Sequence, residues 1–197
     1  YTQAKMICIT GSNGKTTTTS LLFDMLRRAG LDVGLAGNIG NSLALQVAQE
    51  DHAYYVIELS SFQLDNCYDF KADIAILLNI TPDHLERYDY QFQNYIDAKF
   101  RITRNQTAED AFIYWSEDPV IDREIARIRP QATLYPFGSQ EQNVAYTSGK
   151  QLILAAHDEV EALSIPFDEL SLQGKHNQYN SMAAGLAAQL LNIDNAV

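Results

Sequence analysis

The sequence predicts an α/β domain, P-loop-containing, whose mostly parallel sheet is flanked by helices and carries an antiparallel hairpin at one edge. Three observations predict it. Short, near-continuous apolar runs alternate with segments of helical period over the first two thirds of the chain, as expected of parallel strands covered on both faces by crossover helices. A glycine-bearing turn joins the first apolar run to the first helical segment. Further on, residues 143–163 change character, and two short apolar runs flank Ser148-Gly149-Lys150, which reads as a hairpin.

In chain order, Met6 to Thr10 is a buried strand, and Lys15 to Ala29 is a helix with Leu21, Leu22, Met25, Leu26 and Ala29 on one face, stopped at Gly30. Leu31 to Ala36 is a second, weaker strand before the loop Gly37-Asn38-Ile39-Gly40, and Ser42 to Gln49 is a short helix. Tyr54 to Ile57 and Ile74 to Leu78 are strands, and Tyr90 to Arg104 is helical in period. Ala111 to Trp115 and Thr133 to Phe137 are further strands around a helix from about Val120 to Ile128. Val144 to Thr147 and Leu152 to Ala156 form the hairpin, and His176 to Leu191 is the closing helix. No internal repeat, low-complexity tract or Pro/Gly/Ser-rich linker interrupts the 197 residues, so one domain is expected.

Composition narrows the function. The 25 Asp and Glu exceed the 14 Lys and Arg, a formal net charge of -11, the wrong sign for a nucleic-acid or membrane-surface scaffold. A hydrophobic share of 46% with 8 Phe and 11 Tyr excludes disorder as the default. No apolar run is long enough to cross a bilayer, and no secretory leader opens the chain. Cys8 and Cys67 make neither a disulfide framework nor a metal ligand set and read as reduced thiols of a cytoplasmic protein. Any anionic ligand must therefore be held by local devices.

The strongest such device is Ile9-Thr10-Gly11-Ser12-Asn13-Gly14-Lys15-Thr16-Thr17, between the first strand and the first helix. Glycines let backbone N–H groups approach a phosphate chain, the helix N-terminus favours negative charge, Lys15 adds a point charge and Thr16 a hydroxyl for Mg²⁺. The loop is a shortened G-x-x-G-K-T; Ile9 stands where the usual G-x-x-x-x-G-K-[ST] pattern has its first glycine. Glu58 ends an apolar run at the carboxyl edge of a parallel strand, where open α/β sheets bind ligands; it is either a partner for a nucleotide's Mg²⁺ or a solvent-facing carboxylate. The next run ends in Asn79-Ile80-Thr81-Pro82-Asp83-His84, bringing His84 to the same edge as a ligand or a hydrogen-bonded histidine. Lys99 falls inside the stripe Phe92, Tyr95, Ile96, Phe100, and either snorkels past its neighbours or serves a function the pattern does not reveal. Asn177 and Asn180 open the last helix; they could meet a base edge, although capping is the simpler reading of Asn177.

Together, T-G-S-N-G-K-T-T, then E-L-S-S-F-Q-L-D from Glu58, N-I-T-P-D-H-L-E-R-Y from Asn79, Ala98-Lys99, and G-K-H-N-x-x-N from Gly174 resemble the central ATPase domain of the Mur ligases over essentially the whole chain. Within the family, E-L-S-S-F-Q-L resembles the D-glutamate-adding branch. The resemblance implies that Gly11, Ser12, Asn13, Gly14, Lys15, Thr16 and Thr17 wrap the ATP phosphates and that Asn177 and Asn180 lie beside the adenine. It implies that Thr16, Glu58, His84 and a carbamylated Lys99 belong to a cluster for Mg²⁺, two ions in the full enzyme, and that Lys15, His84 and Lys99 are catalytic. Asn38, Ser60 and His84 match positions near the muramoyl substrate. Carbamylation turns an ammonium that would repel a cation into an anion that attracts it. The implied partners are UDP-N-acetylmuramoyl-L-alanine and D-glutamate, with no nucleic acid and no membrane, and the implied state is a monomer.

The family places a UDP-binding domain before this one and an amino-acid-binding domain after it, and neither fits in 197 residues. Tyr1 instead of Met at the start is in keeping with a central domain that binds nucleotide weakly and does not ligate by itself. Two rival readings follow from the same residues: another Mur enzyme or a folylpolyglutamate synthase, and a P-loop switch module. A GTPase switch would carry N-K-x-D, whereas the strand from Ile74 leads into N-I-T-P-D-H.

Overall fold

A computed structural model describes residues 2–156 and 162–194. Among the described residues nine strands form one sheet: β1 (Lys5–Thr10), β2 (Val33–Gly37), β3 (Tyr54–Glu58), β4 (Ile74–Leu77), β5 (Ala111–Trp115), β6 (Thr133–Phe137), β7 (Ala145–Ser148), β8 (Gln151–Leu154) and β9 (Leu163–Pro166). Their order is β2-β3-β1-β4-β5-β6-β7-β8-β9. Every pairing from β2 to β7 is parallel, and β7-β8 and β8-β9 are antiparallel. The α-helices among the described residues are α1 (Lys15–Arg28), α2 (Leu43–Gln49), α3 (Ser61–Asp65), α4 (Phe92–Phe100), α5 (Pro119–Ile128) and α6 (Lys175–Leu190). Among the described residues no helix is long and apolar enough to cross a membrane.

The period of two in the strands explains the layers. Ile7 and Ile9 of β1, Val56 of β3, Ile76 of β4 and Ile113 of β5 face α1 and α6, joined by Leu22, Leu26, Met182 and Leu186. The intervening Cys8, Ile57, Ala75, Leu77 and Phe112 face the other side, against Leu64 of α3, Tyr95 and Ile96 of α4 and Ile121 of α5. Because β1 lies between β3 and β4, their carboxyl ends adjoin, and the turns leaving them share one rim.

The predicted alternation of elements is present, with instructive departures. The helix expected from Tyr90 starts at Phe92, because Asp89 and Tyr90 have φ of 53° and 56°, outside the right-handed region; its last part is a separate 3-10 turn, Arg101–Thr103. The hairpin is extended by β9, an edge strand closed by Pro166, a residue suited to a sheet margin. α3 was not expected, although Ser60 and Gln63 form a reciprocal capping box at its start, a signal present in the sequence as S-x-x-Q.

Asp118 ties the fold to the rim. Its Oδ1 accepts from Val120 N–H at 2.9 Å and Ile121 N–H at 3.1 Å, capping α5, while Oδ2 accepts from Ile80 N–H at 2.8 Å in the turn after β4. Asp118→Ala removes the cap and leaves a buried N–H without a partner, so chemical denaturation should show a loss of about 2–4 kcal/mol. A loss no larger than the ~1 kcal/mol of an ordinary cap would contradict the tie to Ile80.

Candidate functional site

The site begins at the loop between β1 and α1. Gly14 is the N-cap of α1 with φ 83°, a conformation that favours glycine, and a Cβ there would lie 2.6 Å from Asn180 Oδ1. A side chain at this position would meet both backbone strain and the facing helix α6. The first turn of α1 receives no capping side chain and contains no acidic residue, so its outward N–H groups and the positive end of the helix dipole are directed at the rim. Two rim segments fix the loop. Asn13 N–H donates to Asn79 Oδ1 at 2.8 Å and Asn79 Nδ2 donates back to Asn13 O at 3.0 Å. The Ser12 hydroxyl lies 2.9 Å from both the carbonyl and the N–H of Thr81.

Two ammonium groups converge beneath this loop. Lys15 Nζ donates to the carbonyls of Gly11 at 2.9 Å and Ser12 at 3.0 Å, and Lys99 Nζ donates to the same Gly11 carbonyl at 2.7 Å. Lys99 is 1% exposed, so it does not snorkel to solvent; its Nζ sits 4.7 Å from the centroid of the Tyr95 ring. Burial, then the nearby positive charge of Lys15, pushes the Lys99 pKa down to about 7, with Asp83 opposing. Lys15 is also lowered by desolvation, against the raising influence of Glu58 and Asp83.

Glu58 is not the solvent-facing carboxylate the strand end left open. It is 1% exposed, and its oxygens accept from Thr16 Oγ1 and Asn38 Nδ2, both at 2.8 Å. Asn38 reaches it because Gly37 presses β2 against β3: a Cβ at Gly37 would lie 2.1 Å from Glu58 O. Gln46 of α2 anchors the Asn38 loop by donating to Leu35 O at 2.8 Å and Asn41 O at 3.1 Å. Thr16, Glu58 and Asn38, expected from separate segments, are thus brought together.

On the other side of the loop lies a cavity of about 530 Å³, lined by Asn13, Gly14, Leu78, Trp115, Phe137, His176, Tyr179 and Asn180. Its walls are mostly apolar and aromatic, with amides at one end, and its size suits a small planar ligand. Asn180 is in this wall. Asn177 is not the helix cap: Gly174 holds that position, and the Asn177 amide donates to Gln173 O at 2.9 Å while its Oδ1 accepts from Asn180 at 3.2 Å. The pair therefore acts as one amide chain from the start of α6 to the loop.

His84 and Ser60 sit apart from this cluster. His84 is about half exposed, 3.6 Å from Asp83 and 3.7 Å from Glu86, edge-on to Phe62, and hydrogen-bonded to none of Thr16, Glu58 or Lys99. Ser60 Oγ accepts from Gln63 N–H in the cap of α3. The sequence brings the Asn79 turn to the rim without giving Asn79 a role, and it does not reveal Tyr95 or the aromatic wall as site components. Trp115 and Phe137 stand at the carboxyl ends of β5 and β6, so the rule that points to Glu58 could have found them. Tyr95 was hidden because it obeys the core stripe of α4.

Fold and site together define a P-loop α/β domain, with an uncapped helix N-terminus, two lysines and a buried carboxylate at the carboxyl rim of a parallel sheet. The Mur ligase middle domain matches residues 9–188, and the chain belongs to that family. It is 60% identical over 195 residues to a UDP-N-acetylmuramoylalanine--D-glutamate ligase of Bacteroides fragilis, covering 98% of this chain and 43% of that protein. The corresponding ligase of Porphyromonas gingivalis is 55% identical, with 99% and 44% covered. The chain thus spans under half the length of the curated relatives it matches. Among solved structures, a UDP-N-acetylmuramoyl-L-alanyl-D-glutamate--2,6-diaminopimelate ligase superposes with a TM-score of 0.78 at 23% identity, covering 98% of this chain and 44% of that one. The MurF ligase of Thermotoga maritima in complex with ADP gives 0.71 at 20%, with 97% and 46% covered. These two share the fold.

The lowered Lys99 pKa makes stability depend on pH. Between about 7 in the folded state and 10.5 in the open chain, the unfolded state binds the extra proton, so stability rises with pH across that window. Below it both states are charged and the slope vanishes. Comparing urea unfolding of the parent and Lys99→Met from about pH 7 to about pH 9, the parent should gain up to about 1.4 kcal/mol per unit relative to the variant. A flat difference would contradict it.

Proposed function

We propose that this chain is the central, ATP- and Mg²⁺-binding domain of a ligase that adds D-glutamate to UDP-N-acetylmuramoyl-L-alanine through an acyl phosphate. The observation that carries the reading is the loop Gly11 to Thr17. Its helix N-terminus lacks any capping acid, and two lysines lie beneath it in a protein of net charge -11. The names of the 60% and 55% identical relatives support the substrates. The UDP-binding and amino-acid-binding parts belong to the remainder of such a protein. In the cytoplasm, as a monomer, this domain supplies the nucleotide chemistry.

In this reading the N–H groups of Gly11 to Thr17 cradle the phosphates, Lys15 swings from the loop carbonyls to the transferring phosphoryl group, and the aromatic cavity beside Asn177 and Asn180 takes the adenine. The residues fit a hard cation: the Thr16 hydroxyl and the buried Glu58 carboxylate are oxygen donors, 2.8 Å from each other. Among the described residues no group of three His, Cys, Asp or Glu could hold a metal ion, so nucleotide oxygens would complete the shell. Mg²⁺, when bound, neutralises charge that develops on the phosphates. The substrate carboxylate oxygen bonds to the γ-phosphorus as ADP leaves; the D-glutamate amine then bonds to the acyl carbon as phosphate leaves, and the nitrogen loses a proton. Lys15 offsets the repulsion between the two anions in the first step. Asn38, Ser60 and His84 are the residues assigned to the muramoyl substrate.

Lys99 is the residue proposed to carry a carbamate. Its pKa of about 7 leaves a large neutral fraction at neutral pH, and the neutral amine is the nucleophile. The nitrogen lone pair bonds to the carbon of CO₂, one C–O π pair moves to oxygen, and an N–H proton leaves. The product replaces the amine beneath the loop by an anion close to the Lys15 ammonium.

Calorimetric titration with ATP and GTP in Mg²⁺ tests the reading. ATP should bind in preference; Lys15→Ala should weaken it about tenfold or more, and Glu58→Gln should reduce its Mg²⁺ dependence. Preference for GTP, or unchanged affinity in Lys15→Ala, would sink it. In ¹³C-bicarbonate the parent should give a carbamate carbonyl resonance that Lys99→Arg lacks.

A further inference from the structure

Tyr95 lies in the apolar stripe of α4 and is 1% exposed. On the same helix Phe92 and Phe100 occupy that stripe without a polar atom, whereas Tyr95 buries a hydroxyl, which is costly unless it meets a partner. Its partner is Ser12 of the phosphate loop, with 3.0 Å between Tyr95 OH and Ser12 Oγ.

Counting protons assigns the direction of that bond. Ser12 Oγ carries one proton, and the Thr81 carbonyl, 2.9 Å away, can only accept, so it takes that proton. The Thr81 N–H donates back to Ser12 Oγ at 2.9 Å. The remaining contact at Ser12 Oγ requires a donor, and the donor is the Tyr95 phenol. Burial raises the phenol above its ordinary value, so the proton is present at neutral pH.

The ring of Tyr95 has a second duty. Its face receives Lys99 Nζ at 4.7 Å from the centroid, while Nζ donates to Gly11 O at 2.7 Å. One residue therefore touches the loop at Ser12 through oxygen and supports, through its π face, the amine that holds Gly11. Tyr88 packs edge-on to the ring at 5.5 Å and Phe92 stacks at 6.3 Å, which fixes its plane.

We propose that Tyr95 is a positioning residue for the phosphate loop. Its hydroxyl fixes Ser12, and hence the spacing of the N–H groups offered to the nucleotide, and its ring seats Lys99 over the Gly11 carbonyl. The proposal rests on the nucleotide-binding reading above and adds to it a residue that touches neither nucleotide nor metal.

The test is a double-mutant cycle on the 197-residue chain, read as ATP affinity in Mg²⁺ by calorimetry. Tyr95→Phe keeps the ring and removes the donor; it should weaken ATP binding about three- to tenfold. Ser12→Ala should weaken it at least as much, and the double variant should bind like Ser12→Ala, because both changes cut one bond. Effects that multiply, or a Tyr95→Phe variant that melts earlier yet binds ATP as the parent does, overturn the proposal in favour of a core tyrosine. Tyr95→Leu removes the ring as well, and should weaken ATP binding further than Tyr95→Phe does; equal affinities in the two overturn the ring's share. A parent chain that binds no ATP overturns the nucleotide reading and this proposal with it.

Discussion

The carbonyl oxygen of Gly11 accepts from both Lys15 and Lys99, at 2.9 and 2.7 Å, and the rest of the rim is arranged around that shared acceptor. Two ammonium groups this close repel each other, and one of them is buried. The nearest buried carboxylate, Glu58, is engaged by two neutral donors, Thr16 and Asn38, instead of by either lysine. The structure therefore gathers two amines, neither in an ion pair among the described residues, under a helix N-terminus, an arrangement that attracts a polyanion locally although the molecule as a whole is acidic. The loop conformation, the glycine at position 14 and the aromatic support beneath Lys99 all serve to hold that arrangement in place.

Much of this was legible in the sequence where chemistry and chain geometry coincide. Continuous apolar runs ending in Glu58 and Asn79 announce parallel strands that deliver polar groups to one edge, and G-S-N-G-K-T between a strand and a helix announces the loop. What was not legible obeys a different rule. Tyr95 and Lys99 both sit in a helical stripe whose other members are plain core, so period alone cannot separate a positioning aromatic from a packing one. Trp115, Phe137 and Tyr179 come from elements far apart in sequence, and only the strand order brings them to one wall. The role of Asn177 was misread because Gly174, in a conformation open to few other residues, starts the helix three positions earlier. His84 belongs to the expected edge by sequence, yet the left-handed turn at φ 50° sets it among Asp83, Glu86 and Phe62.

The two sides of the site differ in how they are held. Around Glu58 the contacts are side-chain hydrogen bonds of 2.8 Å from Thr16 at the start of α1 and from Asn38 in the tight loop after β2. Around the aromatic cavity the walls come from β5, β6 and α6, which meet through side-chain packing. Short polar contacts suit a strongly charged ligand, and packed rings that tolerate small shifts suit a planar one.

The approach of Asn180 to Gly14 has a further consequence, for the order in which the molecule is made. The loop precedes its opposing wall by most of the described segment, with α1 packed against α6. During synthesis the loop emerges before α6, and it has no partner at Gly14 until that helix has left the ribosome and folded back on α1. A nascent domain thus displays its glycine-rich turn without the surface that shapes it, and the binding site is completed only when the two ends of the fold meet.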